Sequence, residues 1–133
     1  DINFHEKLSL LQELIALSKV DDETVEMEEQ FIYTVAHSLG ISDLELDALK
    51  KTPVPHNPQN GEMDRITQFY RLLLLMGVDQ HKHEKEIDFC QNAGLRMGLR
   101  PAAIDEVIER FLASESGMLD PQVLIAIFKT HHN

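Results

Sequence analysis

Val20-Asp21-Asp22-Glu23-Thr24-Val25-Glu26-Met27-Glu28-Glu29-Gln30-Phe31 is followed, 58 residues later, by Val78-Asp79-Gln80-His81-Lys82-His83-Glu84-Lys85-Glu86-Ile87-Asp88-Phe89. Val, Asp, two Glu and Phe recur in register. Working outward, the match runs without a gap over residues 8–49 and 66–107. Leu14, Leu17, Gly40 and Asp47 recur as Leu72, Leu75, Gly98 and Asp105. Leu39-Gly40-Ile41 pairs with Met97-Gly98-Leu99. Nine of 42 aligned positions are identical, where average residue usage gives about two or three. The matches include a glycine and four acids in each copy, which apolar rhythm alone does not place. A repeat of this length decides the architecture before any local reading does.

Between these marks the apolar residues fall at helical spacing. Leu10, Leu11, Leu14, Ile15 and Leu17 form one stripe, and Met27, Phe31, Ile32, Val35, Ala36 and Leu39 form the next. Gly40 stands where a helix stops. Ser42 with Glu45 forms a capping box that opens a short helix through Leu44, Leu46 and Leu49. Three prolines (Pro53, Pro55 and Pro58) mark residues 52–61 as a linker. The second copy, 62–114, begins with a helix that is apolar nearly all round through Leu72–Met76, hence centrally buried. Gly98 stops its second helix, Pro101 suits the first turn of the third, and Ser116-Gly117 ends that one. Asp120-Pro121 opens a last helix over 120–131. No alternating strand pattern stands out. The expected fold is all-α, a single-domain helical bundle of about seven helices. It comprises repeat one (4–51) and repeat two (62–114) related by a pseudo-twofold, with the last helix covering an exposed face.

Composition narrows the function classes. The net charge is −11. Residues 1–60 carry 12 acids and 4 bases, or −8, and residues 61–133 carry 11 acids and 8 bases, or −3. Such a surface disfavours nucleic acid and favours cations and basic partners. The single cysteine, Cys90, sits on an apolar helix position and reads as core. The longest apolar run is far short of a membrane span, so no membrane insertion is expected and a cytoplasmic location is the default. Phosphate-binding glycine loops, nucleophile elbows, HExxH and CxxC are absent from the sequence. A non-enzymatic helical module that binds a divalent cation and an unidentified protein partner is expected, with a metal-free interaction scaffold as the alternative.

The repeat selects four acids, Asp21, Glu28, Asp79 and Glu86. Asp21 and Asp79 fall just after a helix, and Glu28 and Glu86 fall in the first turn of the next. Two readings stay open. Each pair can offer oxygen ligands to Ca²⁺, Mg²⁺ or Mn²⁺. Alternatively, Glu28 and Glu86 at the third helical position reach back to cap the backbone, as in a capping box whose hydroxyl half is replaced by Val25 or His83. An EF-hand is excluded, because its closing Glu would fall on Ile32 and Cys90. The turns are unequal. Residues 21–30 hold six acids and no base, whereas the second turn interleaves His81 and His83 with Lys82 and Lys85. Zn²⁺ is the less favoured ion there, and both histidines read as solvent-exposed. His37 reads as packed or surface-lying, and His131-His132 as a frayed end.

A Leu-rich helix, an apolar residue before Asp, Glu seven positions on, and a helix ending Leu-Gly-Ile or Met-Gly-Leu resemble the TerB-like family. That family is named for a tellurite-resistance protein. It is shared with the N-terminal domain of a membrane-anchored DnaJ-type co-chaperone. The resemblance covers Leu14–Leu49 and Leu72–Val107. Where the family pattern reads Ala-Asp-Gly, this chain has Val20-Asp21-Asp22 and Val78-Asp79-Gln80. The resemblance implies a two-repeat helical domain. It also implies a cation site at Asp21, Glu28, Asp79 and Glu86, and a role in metal or chemical-stress response.

Overall fold

Helix-stop glycines and capping residues divide the chain much as the sequence predicts. The structure, a computed structural model, describes residues 3–18, 26–51, 61–78 and 80–131. Among them are seven α-helices and no strand. They are α1 (Phe4–Ser18), α2 (Glu26–Ser38), α3 (Asp43–Lys51), α4 (Glu62–Met76), α5 (Glu84–Arg96), α6 (Pro101–Ala113) and α7 (Pro121–Thr130). No helix among the described residues is long and apolar enough to cross a membrane. The proline-rich 52–60 and residues 21–25, with Asp21, Asp22 and Glu23, lie outside the described residues. The chain divides into two compact units, 1–60 and 61–133.

In the first unit α1 packs on α2 and α2 on α3. Leu10, Leu11, Leu14 and Ile15 of α1 are buried, as are Ile32, Val35, Ala36 and Leu39 of α2 and Leu46 of α3. Each large aliphatic side chain so buried stabilises by about 1.5–3 kcal/mol. Helix ends are set by specific hydrogen bonds. The Glu6 N–H donates to Asn3 Oδ1 at 2.8 Å, and the Asn3 N–H to Glu6 Oε2 at 3.3 Å. The Glu45 N–H donates to Ser42 Oγ at 3.2 Å, and the Ser42 N–H to Glu45 Oε1 at 3.1 Å, completing the predicted capping box.

In the second unit α4 packs on α5, α5 on α6 and α6 on α7. Ile66, Gln68, Phe69, Leu72, Leu73 and Met76 bury much of α4, as its apolar sequence predicts. Pro121 occupies the first turn of α7, and Asp120 Oδ1 accepts the Gln122 N–H at 2.8 Å. The Tyr70 hydroxyl donates to the Leu119 carbonyl at 2.8 Å, and its ring lies 5.8 Å from that of Phe111. Tyr70 thereby holds the chain that leads into α7.

The bounds of α1 and α2, moved by 58 residues, coincide with those of α4 and α5. Helix α6 starts where α3 would fall under the same shift. The closures of α2 and α5 also correspond. The Ile41 N–H donates to the Ala36 carbonyl at 2.8 Å and the Gly40 N–H to His37 at 3.0 Å. The Leu99 N–H donates to Gly94 at 3.1 Å and the Gly98 N–H to Leu95 at 3.0 Å. This pattern needs a left-handed residue, and Gly40 and Gly98 take φ of 79° and 86°.

Candidate functional site

The second acidic turn begins where Gly77 closes α4 and Val78, fully buried, anchors the exit. Gln80 to His83 then lead into α5. Glu86 occupies the first turn of α5. Its Oε2 accepts the backbone N–H of His83 at 3.3 Å and lies 3.5 Å from Lys82 Nζ. One helix-terminal donor is thereby satisfied, and the negative charge sits at the positive end of the helix dipole. His81 and His83 are exposed, as the sequence predicts. Among the described residues no group of three or more His, Cys, Asp and Glu side chains is gathered as a metal ion requires.

The four acids selected by the repeat are therefore not all placed. Asp21 and Asp79 lie outside the described residues. Glu28 belongs to the first turn of α2, but its side chain is not among those described. Only Glu86 is placed in full. Its Oε2 serves both the helix cap and the ion pair. Glu29, beside Glu28, accepts from Lys50 Nζ at 3.2 Å. Burial works against the Lys50 charge, yet the Glu29 carboxylate and Tyr33 outweigh it and hold the pKa above its ordinary value. That nitrogen also lies 5.1 Å from the centre of the Tyr33 ring.

Two acids with matched roles escaped the sequence reading. The Tyr33 hydroxyl donates to Asp47 Oδ1, tying α2 to α3. Asp47 raises the Tyr33 pKa through that bond. At the same offset, Gln91 Nε2 donates to Asp105 Oδ1 at 3.3 Å, tying α5 to α6. The recurrence of Asp47 as Asp105 was the available signal. Cys90 is fully buried, and burial pushes its thiol up to about 12, with Lys82 opposing and Glu86 reinforcing the shift. It is core, not a nucleophile. His37 is exposed and pairs with Asp43. His131 departs from its expected frayed state: at the end of α7 its Nε2 lies 2.8 Å from Glu106 Oε1 on α6.

A groove of about 400 Å³ opens on the first unit, lined by Phe4 and Leu8 of α1, by Ile41, and by Glu45, Ala48 and Leu49 of α3. Its lining is apolar except for Glu45. Phe4 is 61% exposed there. A second cavity, of about 330 Å³, lies in the other unit between α4 (Glu62, Met63 and Ile66) and α7 (Ile125, Phe128 and Lys129). Neither lining holds a nucleophile–base pair. Each offers shape and apolar surface instead.

Comparison with family models, curated proteins and solved structures gave no match. The TerB-like resemblance thus stands on the quoted residues alone.

Proposed function

We propose that this chain is a non-enzymatic protein-interaction module built from two tandem helical repeats, in which the turn acids act as helix caps. Glu86 carries the reading: its carboxylate is engaged by the His83 N–H and by Lys82. The duplicated architecture is supported by the common 58-residue offset of helix bounds, by the paired glycine closures and by the Tyr33–Asp47 and Gln91–Asp105 ties. The TerB-like resemblance points the same way on fold. It adds a connection to metal or chemical-stress response.

A second reading keeps a divalent cation, Ca²⁺, Mg²⁺ or Mn²⁺, at Asp21 and Glu28. Its support is the first turn, where six acids meet no base over residues 21–30. Asp79 and Glu86 form the weaker half-site because Lys82 already neutralises Glu86. Thermal melts of the wild type, Glu86→Gln and Asp21→Asn, each with and without the three ions, separate the readings. As a cap, Glu86→Gln lowers stability by about 0.5–1 kcal/mol and leaves the ion response unchanged. A cation bound at one-hundredth of its concentration adds about 2.7 kcal/mol. A rise of that order, lost in Asp21→Asn, establishes the second reading instead.

A further inference from the structure

The groove on the first unit and the seat of α7 on the second occupy matching positions in the repeat. Shifted by 58, Leu8 corresponds to Ile66, Glu45 to Ala103, Ala48 to Glu106 and Leu49 to Val107. In the second unit this face is partly covered, with a cavity of about 330 Å³ left between α4 and α7. Helix α7 packs on α6, His131 beyond it reaches Glu106, and Ile125 and Phe128 stand opposite Met63 and Ile66. Ile66, Ala103 and Val107 are buried to 3%, 0% and 0% exposure. In the first unit Leu8 and Leu49 are only half-buried, while Glu45 and Ala48 are exposed. The groove there stands open at about 400 Å³.

We propose that this α1–α3 groove docks an amphipathic, basic helix of a partner protein, seated as α7 is seated on the second unit. The inference rests on the interaction-module reading and on the repeat register. The occupant's shape follows from α7. That helix is ten residues long and buries Leu124, Ile127 and Phe128 on one face at spacings of three and four. Its charge follows from the receiving side. Residues 1–60 hold 12 acids against 4 bases, and Glu45 stands in the groove wall where the second unit has Ala103. A helix with apolar anchors at that spacing and Lys or Arg beside them satisfies both the wall and its acid.

A displayed library of ten-residue helical segments, selected against the full chain, tests this. The expected winners carry two or three large apolar residues at α7-like spacing and a net positive charge. Ala48→Arg puts a cation into the groove at an exposed position, and Phe4→Ser removes an exposed wall; neither position is in the core. Ala48→Arg should weaken the selected segments by about ten-fold or more, through lost apolar contact and charge repulsion. Phe4→Ser should weaken them less, and the melting temperature of both variants should stay at the wild-type value. Failure to enrich any segment overturns the proposal. Winners indifferent to Ala48→Arg overturn the groove but leave the interaction reading standing. A concentration-dependent dimer that Ala48→Arg dissolves makes the occupant a second copy and overturns the partner helix. An acid-dependent ion response in the melts overturns the capping account separately.

Discussion

Glu45 illustrates what one carboxylate does for a short helix. The Ser42 backbone N–H, and then the Ser42 hydroxyl, hold its pKa below the ordinary value of 4.5. A carboxylate with a lowered folded-state pKa contributes stability above its unfolded pKa, and loses that contribution as pH falls through the folded value. Stability of the α3 region should therefore decline as the solution is acidified below about pH 4.5. Glu45→Gln should flatten that part of the urea-unfolding profile against pH while lowering the plateau above it. This box was legible in sequence, because Ser followed three positions later by Glu is a local signal. Glu86 was legible for the same reason as a third-position acid, although its duty was open between cap and ligand. Asp47 and Asp105 were visible as a recurrence, but their partners sit fourteen residues earlier and differ in kind, a tyrosine and a glutamine. Sequence spacing along one helix carries no signal for a tie between two.

At the element scale the two units differ where their neighbours differ. Gly94 is the counterpart of Ala36, and both are buried. A Cβ at Gly94 would stand 2.9 Å from Phe69 Cε1 and 2.9 Å from Ile104 Cδ1. At the matching positions the first unit has Leu11 and Leu46. The first unit carries a methyl at this position, while the second gives the space at Gly94 to the Phe69 ring and Ile104. Gly94→Ala gains up to about 1 kcal/mol of helix propensity and meets about 1–3 kcal/mol of overpacking. The balance should destabilise the protein by about 1 kcal/mol, read as a lower urea midpoint at unchanged slope. Phe69→Leu should relieve that loss in the double variant, since the same atoms are in conflict. Helix ends were readable from Gly40, Gly98, Pro101 and Asp120-Pro121. The meaning of Gly94 was not, because a helical glycine is explained only by what crowds it. Nor was the groove on the first unit, because no residue spacing announces it.

For the whole molecule, the charge distribution singles out one unit. The −11 net charge is concentrated in residues 1–60, at −8, and the open groove lies in that unit. Of the acids that recur in the second turn, Glu86 holds the start of α5 through the His83 N–H. If the turn acids serve the helices, Mn²⁺ finds no specific site among them. Added in substoichiometric amounts to the isotope-labelled chain, the ion broadens amide signals around any site it occupies. Uniform, slight losses across the acidic surface, with His83 to Glu86 fading no faster than the amides around Glu106 and Glu109, are the expected result. Selective loss of the signals at the start of α2, alone or together with those at the start of α5, would contradict the account and would make the repeated acids cation ligands after all.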